Sequence, residues 1–194
     1  MTDQKTEQTD DAPLTTSKRS DAKAEAAREA GAAKGGDVVG RAITINKPAD
    51  ELWAFFRDFS NLPKFMENVV SIDVLDDKRS HWVVKAPAGA RVEWDAVVTD
   101  EANGRHIAWK AENADVPNSG RVEFREAGER GTVVHATIVY DPPAGVVGKL
   151  IAKMFQREPN MQARQDLKRF KQLMETGEVA TRARNSREFA EEKN

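Results

Sequence analysis

Between Val70 and Tyr140 the chain repeats one pattern six times: a short run in which apolar and polar residues alternate, closed by a turn. The apolar phases are Val70, Ile72 and Val74; Trp82, Val84 and Ala86; Val92, Trp94, Ala96 and Val98; Ile107, Trp109 and Ala111; Val122 and Phe124; and Val134, Ala136, Ile138 and Tyr140. Asp76–Asp77–Lys78, Pro87–Ala88–Gly89, Asn103–Gly104, a loop through Pro117–Asn118, and Gly128–Gly131 separate them. A period of two places all apolar side chains of a strand on one face, and turns this short join antiparallel neighbours. The pattern therefore predicts a six-strand antiparallel meander with one dry and one wet side.

The flanks supply what covers the dry side. Arg41–Asn46 alternates and reads as a further strand ahead of the meander. Pro48 and the acidic pair Asp50 and Glu51 then suit the start of a helix, whose apolar face carries Leu52, Trp53, Phe55 and Phe56. Asp58–Asn61 breaks that helix, and Asn61 is placed to cap a second short one holding Leu62, Phe65 and Met66. Beyond Asp141–Pro142–Pro143, Val147, Leu150, Ile151, Met154 and Phe155 follow helical spacing. Pro159 marks a break or restart, after which Ala163, Leu167, Phe170 and Met174 continue to a stop at Gly177. The predicted class is α+β: a curved seven-stranded antiparallel sheet, in the order β-αα-β6-α, wrapped around a long C-terminal helix.

Composition bounds the rest. Of 194 residues, 1–38 hold one Leu and no aromatic, too little apolar surface to offset an ordering cost of ~1–2 kcal/mol per residue. That gives a disordered tail over 1–38, a domain over 39–177 and a polar tail over 178–194. With no Cys, disulfides, thiolate metal sites and thiol catalysis are excluded. A net charge of −2 argues against nucleic acid as a partner. No apolar leader is visible, and the cytoplasm is the simplest compartment. Only residues 146–194 are basic, with 11 cationic against 7 acidic side chains. Arg164, Lys168, Arg169 and Lys171 form a helix flank that could meet an anionic membrane.

Catalytic signatures are sparse. His81, His106 and His135 fall on the polar phases of their strands, without metal-ligand spacing. Glu93 and Asp95 share a face but read as a solvated pair opposite Trp94. Gly145–Gly148 lacks the features of a phosphate loop, and no cofactor is expected. The inward phase offers no polar group besides Tyr140 and the indole N–H groups, which argues against catalysis.

The segments ITINKPADELWAFFRDFSNLPKFM (Ile43–Met66), HWVVKAPAG (His81–Gly89), VEWDAVVTDE (Val92–Glu101), IAWKAE (Ile107–Glu112), YDPPAG (Tyr140–Gly145) and FKQLMETGE (Phe170–Glu178) carry a resemblance. Over roughly residues 40–178 the chain resembles the START/polyketide-cyclase superfamily, also called SRPBCC or helix-grip proteins. It is similar in particular to a bacterial cyclase/dehydrase branch related to coenzyme Q-binding START-like proteins. The resemblance implies a lipophilic ligand, such as a quinone, lipid or polyketide, held between sheet and C-terminal helix. The lining it implies is Trp82, Val84, Trp94, Ala96, Trp109, Phe124, Ile138 and Tyr140 on the sheet, and Leu150, Met154, Phe155, Phe170 and Met174 on the helix. Three readings follow: a non-catalytic binder, a polyketide cyclase or dehydratase, or an interaction or stress module whose core is filled by its own Trp and Phe. An apolar pocket of ~300 Å³ or more, open to solvent, would favour the first two, and a closed core the third.

Overall fold

A computed structural model describes residues 37–86, 89–140 and 159–179. Strand β1 (Asp37–Ile45) is followed by helix α1 (Ala49–Arg57) and a 3-10 turn over Phe59–Lys64. Strands β2 (Val69–Val74), β3 (Arg79–Lys85), β4 (Arg91–Ala102), β5 (His106–Glu112), β6 (Asn118–Glu126) and β7 (Thr132–Tyr140) complete the sheet, and helix α2 (Pro159–Thr176) closes it. All neighbours pair antiparallel in the order β1-β7-β6-β5-β4-β3-β2. The expected α+β helix-grip architecture is the observed one: a curled seven-stranded sheet with a C-terminal helix against its concave side.

Three local features depart from the expectations. Strand β1 begins at Asp37, within the segment assigned to the N-terminal tail, because Asp37–Gly40 pair with Thr137–Tyr140. The second helical segment is 3-10, and its cap is Asp58, whose Oδ1 accepts the Ser60 N–H at 3.2 Å, while Asn61 donates to the Phe55 carbonyl. In β2 the register slips between Val69 and Ser71, which turns Val70 outward while Ile72 packs on the core; Val74, past the slip at the strand's end, is exposed as well. A bulge of this kind adds one residue and reverses the phase on one side of it. Residues 1–36 and 180–194, and Val147, Leu150, Ile151, Met154 and Phe155, lie outside the described residues, whereas Val179, assigned to the polar tail, packs on the core.

The core is aromatic at the end where the helices meet. Phe170 of α2 is fully buried, stacked on Phe65 at 4.8 Å and edge-on to Phe56 at 5.8 Å, with Phe55 at 6.0 Å. Leu52, Leu62, Ile107, Val122 and Val134 pack into the same cluster. Polar ties fix α2 against β1: Lys171 Nζ donates to the Thr44 carbonyl at 2.7 Å, and Glu175 Oε1 accepts the Asn46 N–H at 2.7 Å. The helix ends where expected, with the Gly177 N–H closing on the Leu173 carbonyl, and Val179 packs back on the core.

Candidate functional site

The concave face holds a cavity of about 240 Å³ between the sheet, the 3-10 segment and the first turns of α2. Its sheet wall is the even phase of β3 and β4, with Trp82, Val84, Val92, Trp94, Ala96 and Val98, joined by Trp109, Val122, Ala136 and Ile138. Phe56, Phe59, Leu62, Phe65 and Met66 close the helical side, and Ala163 and Leu167 contribute from α2. Trp82 and Trp94 face each other across the β3–β4 register and stack at 5.9 Å with 16° between ring planes. The Trp82 indole N–H is consumed by Ser80 Oγ at 2.9 Å, a hydroxyl itself fully buried. Trp109 lies over its cross-strand partner Gly120, where a Cβ would come within 2.2 Å of the indole. Only a residue without a side chain lets that ring lie flat on the wall.

Of the thirteen residues expected to line the site, Trp82, Val84, Trp94, Ala96, Trp109 and Ile138 front this cavity. Phe124, Phe170 and Met174 belong instead to the aromatic core beside it, since the rings of Phe56 and Phe65 stand between α2 and the sheet there. The Tyr140 side chain and residues Leu150, Met154 and Phe155 lie outside the described residues.

The expectation of a lining without polar groups is corrected. Asn68, Asn118, Gln162 and Asp166 all line the cavity, and Asp166 is the one titratable side chain among its described walls. Asp166 sits on α2 in the same stripe as Ala163, Leu167 and Phe170, at spacings of three and four. A carboxylate inside an apolar helix stripe was the available signal for it. Gln162 Nε2 donates to its Oδ1 at 2.9 Å, Arg169 Nη1 stands 3.5 Å from the same oxygen, and the Glu67 backbone N–H donates to the carboxylate. Arg169 Nη2 also pairs with Glu67 at 2.5 Å. Burial dominates over these stabilising neighbours and pushes the Asp166 carboxyl up to about 6.

That shift has a sign for stability. A carboxyl raised in the folded state holds its proton longer than in the unfolded chain. Its full stabilisation is present below about pH 4, and is lost as pH rises to about 6. The loss is on the order of 3 kcal/mol. Asp166→Asn should therefore be more stable than the parent at pH 7.5 and close to it at pH 4, as read by urea unfolding at both values. Equal urea midpoints at pH 7.5 would refute the assignment.

The convex face behaves as a solvated face. His81 Nδ1 lies 2.8 Å from Asp95, with Glu93 at 3.8 Å from its other nitrogen. His106 Nε2 lies 2.8 Å from Asp100, which also takes Arg121, and His135 faces Glu123 at 3.5 Å. Asn113 and His81 hold the Asp95 carboxyl below its usual range, and Arg121 and His106 do so for Asp100. No group of side chains among the described residues is arranged to hold a metal ion. Of the basic flank on α2, Arg164 and Lys168 are exposed, whereas Arg169 and Lys171 are turned to the domain by the contacts above. No helix among the described residues is long and apolar enough to cross a membrane.

Residues 38–175 match the family described as polyketide cyclase / dehydrase and lipid transport. The chain belongs to this family. Within the polyketide cyclase / dehydrase family and its structural surroundings, a protein of Deinococcus radiodurans is 42% identical, with a TM-score of 0.60 over 73% of this chain and 98% of its own. The Zhui aromatase/cyclase of Streptomyces sp. R1128 has the same fold at 16% identity, with a TM-score of 0.59 over 75% of this chain and 99% of its own. An uncharacterised 17.2 kDa protein of Streptomyces lincolnensis is 27% identical over 71% of this chain and 89% of its own length. The polyketide-cyclase part of the resemblance read from the sequence is thereby the family the chain falls in.

Proposed function

We propose that the domain binds a lipophilic, ring-containing small molecule in the cavity between sheet and α2 and does not transform it. The observation that carries this reading is the cavity itself, about 240 Å³ walled by the Trp82–Trp94 stack, Trp109 and aliphatic side chains. An apolar cavity of about 150 Å³ already takes a benzene ring, so this one takes a compound of one or two rings. It is smaller than the ~300 Å³ typical of drug-sized sites, which disfavours long lipids. Burial at ~25 cal/mol per Å² supplies the affinity, and the flat indole faces supply stacking surface. A quinone headgroup and a small aromatic polyketide both meet this description.

One observation favours the cyclase or dehydratase reading as a second. Asp166 is a buried carboxyl in the cavity wall, and its proton equilibrium is moved toward neutrality. Among the described residues it is the single titratable group of the wall, and acid–base chemistry on a polyketide commonly needs a second one. Arg164 and Lys168 supply an exposed cationic pair on the helix bordering the cavity, suited to approach an anionic membrane in which such ligands reside.

Native mass spectrometry of the purified protein, followed by titration with a quinone series while watching tryptophan emission, tests the proposal. A co-purifying mass or a saturable change at tens of micromolar is expected. Neither effect would leave a cavity that is only a packing defect and return the filled-core module. Turnover of an aromatic polyketide, abolished in Asp166→Asn, would establish the enzyme instead.

A further inference from the structure

We propose that Asp166, with Gln162 bonded to it, forms the acceptor end of the cavity and takes the hydroxyl hydrogen of a neutral, hydroxylated ring compound. This rests on the binding reading above and adds to it the polar half of the ligand. Apart from Asn68 and Asn118 the other described walls are apolar, so the Asp166–Gln162 pair breaks the symmetry of the site and orients whatever enters it. Two donors reach Asp166, the Gln162 amide and the Glu67 backbone N–H, while Arg169 Nη1 at 3.5 Å is an ionic neighbour that makes no hydrogen bond. A carboxylate offers roughly four lone-pair positions, so acceptor capacity is left over on a group that lines the cavity. Part of the Asn118 amide is committed as well, since its Nδ2 donates to the Val116 carbonyl at 3.0 Å.

Charge decides which ligand group fits. Glu67 and Arg169 are the charged side chains facing Asp166, and they pair with each other, so the ionised site carries a net negative charge. An anionic ligand is repelled, and a ketone, a quinone's included, binds less tightly at this end than its hydroxylated counterpart because it brings lone pairs to lone pairs. A hydroxyl donates into the site and forms a charge-assisted bond. Protonation turns the same carboxyl into a donor, and the preference for a hydroxyl over a bare ring should then shrink. With the carboxyl titrating at about 6, that exchange falls between pH 5 and pH 7.5.

A purely structural role for Asp166, joining α2 to Glu67, would affect stability and leave ligand preference alone. The two are separated by comparing 2-naphthol with naphthalene, which share one ring body, by ligand-observed NMR on the full chain. At pH 7.5 the naphthol is expected to bind roughly tenfold tighter. In Asp166→Asn, and in the parent protein at pH 5, the ratio should fall to about threefold or less. A ratio near one at pH 7.5, or one that neither the substitution nor the pH changes, overturns the acceptor site while leaving the cavity as a binding site. If neither probe binds, the binding reading fails and this inference fails with it.

Discussion

Phe170→Ala should lower the stability of the domain by about 3–5 kcal/mol, the largest loss expected from any single truncation of an α2 side chain. Phe170 has no exposed surface, and three phenylalanine rings from α1 and the segment after it surround it within 4.8–6.0 Å. Removing its ring opens a void beneath α2, which Lys171 and Glu175 already tie to Thr44 and Asn46, so the helix cannot collapse freely into it. The loss includes both the transfer of the ring and the residual cavity. Urea unfolding should show a lower midpoint at an unchanged slope. A loss below 1 kcal/mol would mean that α2 is not gripped by this cluster. Because Phe170 stands beside the cavity and does not line it, the same variant should still bind any ligand that the parent binds once it is folded.

Gly131→Ala should cost about 2–5 kcal/mol through a different mechanism. Gly131 ends the turn between β6 and β7 at φ 87° and ψ −120°, a backbone region that side chains resist. A Cβ there would also stand 2.2 Å from the Ile45 carbonyl oxygen and 2.6 Å from Asn46 Cα. These obstacles are backbone atoms, so no rotamer change relieves the contact. The turn must open or β1 must move off β7, where Ile45 faces Thr132. Thermal unfolding of the variant, compared with Gly128→Ala in the same turn, checks the cause. Gly128 also has positive φ but open space around it, so its cost should be the smaller. Equal losses at the two positions would show that backbone strain alone is responsible.

Much of the fold was legible because its strands obey a strict alternation. In β4 the period of two places Val92, Trp94, Ala96 and Val98 inward and leaves Glu93 exposed, and the structure shows the same phase. Legibility failed where the backbone adds or hides a residue. The slip at Val69/Ser71 took Val70 off the dry phase of β2, and left Ile72 on it, in a way that residue types do not announce. The start of β1 at Asp37 was hidden by the adjacent Val38 and Val39 and by Gly40, which break the alternation that marks its later half. The cavity was half legible: alternation identified its tryptophan wall but could not tell which inward residues front empty space and which are covered by Phe56 and Phe65. Asp166 was missed because a carboxylate on a helix is ordinarily assigned to water, and only the packing of α2 shows it enclosed.

The pairing of β1 with β7 carries a consequence for synthesis of the chain. Ile45 and Thr132 sit side by side in the sheet but are separated by about 90 residues of sequence. At translation speeds of roughly 5–20 residues per second, β1 leaves the ribosome some 5–20 s before its partner strand. Throughout that interval its apolar residues Val39, Ile43 and Ile45 have no sheet to join, and α2, which covers them, is made later still. Closure of the sheet is therefore its most non-local step and belongs to the slow, millisecond-to-second class of folding events. A nascent chain stopped short of Tyr140 has a strand to donate and nothing of its own to receive it, the condition under which neighbouring polypeptides exchange strands.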